Sequence, residues 1–186
     1  YNFRDLENEL LKSLSLLKIN LIYGFMFHNA DELIENPNTW NFLEKLKASN
    51  KIKKIGFSIY NEKQLSTILE LGIMPDIVQL PYSILDRRLE NSLLKLKINN
   101  VEVHVRSVFL QGLYFKDVNN LPKNLLPLRS SLKKIHGICK FNNIKVSTLA
   151  LNFVKQNKYI DKIVIGADST EQIAENIESM NYNLSQ

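Results

Sequence analysis

The chain has 186 residues, enough for one sizeable hydrophobic core, and its 45% hydrophobic and 23% charged composition is that of an ordinary globular protein. Its +5 net charge comes from lysines spread over every predicted helix (Lys45, Lys47, Lys63, Lys95, Lys97, Lys133, Lys134, Lys155), a pattern of solvated faces that argues against nucleic-acid binding. The longest apolar run, Leu21 to Phe27, is strand-sized, which argues against a membrane span.

No basic-then-apolar leader with a small-residue cleavage site is visible, and the single Cys139 excludes an intrachain disulfide framework; together they point to a reducing, cytoplasmic setting. The chain starts at Tyr1 rather than Met, which is expected of a processed chain or a piece of a longer reading frame. One domain, residues 1–186, is the expectation from length.

In chain order, residues 3–17 put Leu6, Leu10, Leu14 and Leu17 on one stripe and predict an amphipathic helix. Residues 19–28 (INLIYGFMFH) are too apolar for a strand with a wet face, so a strand buried on both sides is predicted. A loop around Pro37 over 29–39 and a helix over 40–49 follow. Residues 52–83 then read as strand, helix, strand: KIGFSIY, the helically spaced NEKQLSTILEL closed by Gly72, and PDIVQLPYS. Residues 84–100 predict a helix and 101–108 a strand. A long loop spans Phe109 to Pro127, and loops of that length are often functional. Helices over 128–141 and 146–157, the strand KIVIGAD over 162–168 and a helix capped by Ser169 complete the chain.

Five strands alternating with helices mean a parallel α/β sheet, in either a doubly wound arrangement around some unrelated ligand or part of a (β/α)₈ barrel. In either, ligands bind at the carboxyl ends of the strands. The polar residues there are His28, Ser58, Asn61, Gln79, Ser83, Arg106 and Ser107. His28 is suited to orient a substrate carbonyl. Within the strand His104 reads as structural, and Asp86-Arg87-Arg88 reads equally as an anion site or a helix-entry ion pair. The six glycines form neither GxGxxG nor GxxxxGK[ST], against a Rossmann or P-loop site. Cys139 and His136 have no second pair to complete a zinc site, so no metal is expected.

Five segments in order carry a resemblance: SLSLLKINLIYGFMFHNAD, IGFSIYN, IVQLPYSILDRR, VRSVFLQGL and VIGADSTEQIAENI. Together they resemble the C-terminal part of an aldo/keto reductase. The resemblance implies a partial (β/α)₈ TIM barrel of five parallel strands with the N-terminal strands absent. It implies NADPH or NADH bound in extended form, reduction of a small carbonyl substrate to an alcohol, and an Asp, Tyr, Lys, His catalytic tetrad. His28 matches the histidine; the other three family positions fall upstream of Tyr1, so the isolated chain is expected to be inactive.

On the cofactor side the resemblance implies that Ser58 and Gln79 hold the nicotinamide carboxamide and that Arg106 stands where relatives stack a flat side chain under that ring. Ser107, Phe109 and Gly112 match the segment that approaches the pyrophosphate, Glu175 and Asn176 the adenine contacts. Ile59 replaces the asparagine that usually follows the serine. Gly166, Ala167 and Gln172 replace the Lys, Ser and Arg of members that bind a 2′-phosphate, and Asp168 would repel such a group, which leaves NADP or NAD preference open. The Arg106 and Ile59 departures motivate an alternative: a non-catalytic, nucleotide- or partner-binding barrel remnant. Open sheet edges predict self-association.

Overall fold

A computed structural model describes residues 3–182 and Leu184. The chain packs as two compact units, Tyr1–Leu80 with Asn91–His104, and Pro81–Glu90 with Val105–Gln186.

In the first unit the leucine stripe produces α1, Phe3–Leu17, where Leu10 and Leu14 are buried. Leu17 is exposed instead, because the helix ends there and Lys18 turns the chain through a left-handed φ of 54°. The next strand, β1 (Ile22–Phe27), corrects the expectation of burial on both faces: only Phe27 is buried, and Tyr23 is exposed. The reason is its place in the sheet, where β1 has β2 (Ile52–Ser58) as its one strand neighbour among the described residues.

The loop expected over 29–39 is instead largely helical. Asn29 accepts the Asp31 N–H on its side-chain oxygen at 3.0 Å and starts α2, Ala30–Glu35, which buries Ala30 and Leu33. Pro37 then opens α3, Asn38–Ala48, whose Trp40, Leu43 and Leu46 face the core. Asn61 caps α4, Glu62–Glu70, by accepting the Gln64 N–H at 3.0 Å, and Gly72 ends that turn with φ 77°. The strand β3, Ile77–Pro81, pairs parallel to β2 with Gly56 opposite Ile77 and Ser58 opposite Gln79.

The helix expected from Ile84 begins later, as α5, Glu90–Ile98. The preceding residues form a tight turn in which Ser83 and Asp86 exchange backbone hydrogen bonds and the Ser83 hydroxyl accepts the Asp86 N–H at 3.1 Å. Polar side chains that bond their own backbone compete with helix in this way. The strand β4, Glu102–Arg106, follows.

Beyond it, the expected loop over 109–127 contains 3₁₀ turns at Leu113–Phe115 and Lys123–Leu128. Two helices, α6 (Arg129–Phe141) and α7 (Val146–Lys155), lead to a two-residue strand β5, Lys162–Ile163, and to α8, Thr170–Asn181. The final strand is shorter than the sequence pattern implies, and Val164 continues past it to donate its N–H to Val105 O at 2.7 Å. The Ser169 hydroxyl caps α8 by accepting the Gln172 N–H at 3.2 Å, as its position predicts.

The strand order is β1-β2-β3-β4-β5, which is chain order without a reversal. A doubly wound sheet needs a switch point. Its absence makes this a run of βα units of the barrel type. No helix among the described residues is long and apolar enough to cross a membrane.

Candidate functional site

Within the first unit, three of the singled-out residues lie at the carboxyl edge of the strands. Ser58 ends β2 and stands opposite Gln79 of β3, and the two strands are tied there by the Ile59 N–H donating to Gln79 O at 2.9 Å. His28 follows Phe27, which is in register with Phe57, so it stands one step along the same edge as Ser58. His28 is exposed, Ser58 buried and Gln79 half-buried. Ile59, where an asparagine was the expectation from resemblance, is fully buried and belongs to the core.

At the opposite, amino-terminal end of these strands, Glu102 collects three donors. Tyr23 Oη donates to Oε2 at 2.6 Å, Lys54 Nζ pairs with the same oxygen, and His104 Nε2 is 2.6 Å from Oε1. Burial opposes ionisation of Glu102, but the bonds from Lys54, Tyr23 and His104 outweigh it and hold its carboxyl down at about 2. An ionised carboxylate only accepts, so His104 Nε2 carries the hydrogen of that contact. His104 is therefore structural, as its place inside the strand implied.

The second unit holds a cavity of about 500 Å³. Eight of the residues singled out from sequence line it: Ser107, Phe109, Gly112, Gly166, Asp168, Gln172, Glu175 and Asn176. Val108, Gln111, Phe115, Val164 and Ile165 complete the lining. Arg106 lies beside it and donates from Nη1 to the Ser107 hydroxyl at 3.3 Å.

One wall is the segment after β4, whose backbone is left-handed at Ser107 (φ 61°), Leu110 (47°), Gln111 (54°) and Gly112 (78°). Left-handed non-glycine residues cost free energy and concentrate at ligand-binding segments. Here the Leu110 N–H to Ser107 O bond (2.9 Å) and the Gly112 N–H to Phe109 O bond (3.0 Å) hold the coil. Phe109 and Phe115 meet edge to face, 5.5 Å between ring centres.

The other wall is the start of α8 and the loop before it. The Asp168 N–H donates to Gln172 Oε1 at 2.8 Å, folding the glutamine back on the loop. Asn176 is buried, and Glu175 Oε1 accepts from the Ser147 hydroxyl of α7 at 2.6 Å. The lining offers two carboxylates, two side-chain amides beside Asn176, and no lysine or arginine. Such a surface suits a ligand with N–H donors and flat apolar faces and disfavours added anionic charge.

The remaining candidates resolve structurally. Arg87 pairs with Glu90 at 2.7 Å and Arg88 with Asp86 at 3.1 Å, the ion-pair reading of that tripeptide. Ser83 is fully buried and accepts from Tyr114 Oη at 3.2 Å. Cys139 is buried, which raises its thiol pKa, and His136 Nε2 lies 2.7 Å from Tyr114 O. No group of three His, Cys, Asp or Glu among the described residues is placed to hold a metal ion. Sequence reading missed Gln111 and Phe115, although the LQGLYF run carried a signal in Gly112, and it missed Ser147, for which no local signal exists.

The model of the aldo/keto reductase family matches residues 1–186. The chain belongs to the aldo/keto reductase family. It is 30% identical over 199 residues to the NADH-specific methylglyoxal reductase of Escherichia coli K12, across 97% of this chain and 61% of that protein. It is 24% identical to the L-glyceraldehyde 3-phosphate reductase of the same strain, across 92% of this chain and 56% of that one. It thus spans about three fifths of the length of the curated relatives it matches.

Among solved structures, an aldo-keto reductase from Bacillus halodurans in apo form superposes with a TM-score of 0.80 at 22% identity, over all of this chain (100%) and 65% of that one. The glycerol dehydrogenase of Gluconobacter oxydans gives 0.75 at 17% identity, covering 97% and 60%. These likenesses establish the fold: an aldo/keto reductase barrel of which this chain forms a part.

Proposed function

We propose that this chain is the C-terminal, cofactor-holding part of a reductase that converts an aldehyde or ketone to an alcohol with NADH. The observation that carries the reading is the cavity in which eight residues named from sequence converge on one lining. The cavity suits the adenosine end of a dinucleotide: a coiled backbone with Gly112 on one wall, two carboxylates and amides on the other. Ser58 and Gln79 would hold the carboxamide at the strand edge, and Arg106 would lie near the ring. When bound, the dinucleotide supplies the hydride that reduces the carbonyl carbon.

His28, exposed at the end of β1, would donate to the carbonyl oxygen and orient it. The proton for that oxygen would come from the tyrosine of the family's tetrad, which this chain does not match. NADH is favoured over NADPH because the cavity lining includes Asp168 and Glu175 and no lysine or arginine to neutralise a 2′-phosphate. The relative named as NADH-specific points the same way. We place the protein in the cytoplasm, as a single domain that self-associates through its sheet edges.

Calorimetry of the 186-residue chain with each dinucleotide tests the reading. We expect NADH to bind at least about 10-fold more tightly than NADPH, since one close, poorly screened charge pair is worth about 1.4 kcal/mol. We also expect no turnover of methylglyoxal or other aldehydes. Tighter NADPH binding would overturn the cofactor preference, and turnover by the chain alone would overturn the division of catalytic groups. A second reading, a remnant that binds nucleotide without serving any catalysis, is favoured by the buried Ile59 in place of an asparagine. Turnover restored by adding the upstream barrel segment in trans would eliminate it.

A further inference from the structure

At the carboxyl edge of the first unit, one buried side chain ties together two turns that carry candidate site residues. Gln64 is 7% exposed and stands in the first turn of α4. Its Nε2 donates to Asp31 Oδ1 at 2.8 Å, and its Oε1 accepts the Tyr60 N–H at 2.8 Å. Asp31 lies three residues after His28, in the first turn of α2, where Asn29 caps its N–H. Tyr60 lies two residues after Ser58, and between them Ile59 is fully buried and donates its N–H to Gln79 O. One planar amide therefore bonds the turn after β1 with one end and the turn after β2 with the other. The pairing of β1 with β2 runs as far as Phe27 and Phe57, one residue short of His28 and Ser58, and the Gln64 amide continues the connection beyond it. Shielded from water, such bonds are stronger, and an amide that loses a partner there leaves a buried polar atom unpaired.

We propose that Gln64 is a positioning residue that fixes the His28 turn against the Ser58 turn and thereby sets the affinity of this edge for the ring end of the dinucleotide. The inference rests on the reading of Ser58 and Gln79 as holders of the carboxamide. Two turns that move independently must be ordered when a ligand engages them, and that ordering subtracts from affinity. Gln64 orders them before the ligand arrives. Its two ends differ in chemistry: Oε1 only accepts and Nε2 only donates, which fits a backbone N–H on one side and a carboxylate on the other. Gln64→Glu keeps the shape and the acceptor for Tyr60, but it has no hydrogen for Asp31, and two carboxylates then face each other. Adding Asp31→Asn returns a donor to the pair with the roles exchanged. Gln64 belongs to the first unit and the cavity lining to the second, so the effect is confined to the ring end.

The experiment titrates the chain with NADH and with ADP-ribose, which lacks the nicotinamide, so the ratio of the two affinities isolates the ring end. Gln64→Glu, Gln64→Glu combined with Asp31→Asn, and Asp31→Ala are measured alongside, with circular dichroism to confirm folding. We expect the unaltered chain to bind NADH roughly 10-fold or more tightly than ADP-ribose, the scale of one or two net hydrogen bonds. In Gln64→Glu we expect the ratio to fall to about 3-fold or less through weaker NADH binding, with ADP-ribose affinity unchanged. The double variant should return to within about 2-fold of the unaltered ratio. A role confined to stability would lower the melting temperature and leave the ratio in place, which overturns the proposal while the dinucleotide reading stands. A double variant that does not recover the ratio also overturns it. Equal affinity of the unaltered chain for NADH and ADP-ribose overturns both the proposal and the assignment of Ser58 and Gln79. A folded chain that binds neither ligand overturns the whole dinucleotide reading and the proposal with it. If Gln64→Glu does not fold, Asp31→Ala decides: a reduced ratio supports the proposal and a full one overturns it.

Discussion

Glu102 shows how a single residue can couple this fold to pH. It is held ionised by Lys54, Tyr23 and His104, with its own side chain only 10% exposed. Its carboxyl ordinarily titrates near 4.5 and is lowered here to about 2. The stabilisation is therefore fully present above about pH 4.5 and is lost progressively as the pH falls from there through about 2. Glu102→Gln should remove most of that acid sensitivity and, at neutral pH, cost on the order of 2 kcal/mol by leaving Lys54 without its counter-charge. Urea midpoints of both proteins from pH 7 down to pH 3 measure it; parallel pH curves for the two would refute the assignment. None of this was visible in sequence. His104 was legible as a strand residue, but Tyr23, Lys54 and Glu102 come from three strands, and only pairing in register brings them together.

Among the elements, β2 and β3 approach each other closely at Gly56. A Cβ built on Gly56 would lie 1.7 Å from Ile77 O and 2.8 Å from Ile77 Cγ2, so only glycine allows the two backbones to approach. Gly56→Ala should destabilise the chain by about 3 kcal/mol or more, since the clash is with backbone and no side chain can rotate away. On the proposal that Ser58 and Gln79, two residues further along the same pair, hold the carboxamide, it should also weaken NADH binding. An unchanged denaturation midpoint would contradict the close approach. Helices were the most legible elements: the leucine stripe of α1, the Asn61 and Ser169 caps and the Gly72 stop all stand where local chemistry put them. The misreadings have local causes too. Asn29 lies in a segment that reads as loop but caps α2, and Asp86-Arg87-Arg88 lies in one that reads as helix but is held in a turn closed by Ser83.

For the whole molecule, the strand order decides the fold, and among the described residues it leaves β1 with a single strand neighbour and a half-exposed face. Unpaired strand edges recruit other chains. We expect size-exclusion chromatography to show oligomers that grow with concentration, and a compact monomer at all concentrations would disprove this. By itself the sequence determined the alternation of strands and helices, the strand-end positions and, through resemblance, the family. Those depend on periodicity, caps and motif order, which are local or ordered along the chain. Only the tertiary structure decided between barrel and doubly wound order, exposed β1 and placed Ser147 against Glu175, 28 residues apart. The reason is physical: register and helix-to-helix packing select which distant side chains meet, and no spacing within one segment encodes that choice.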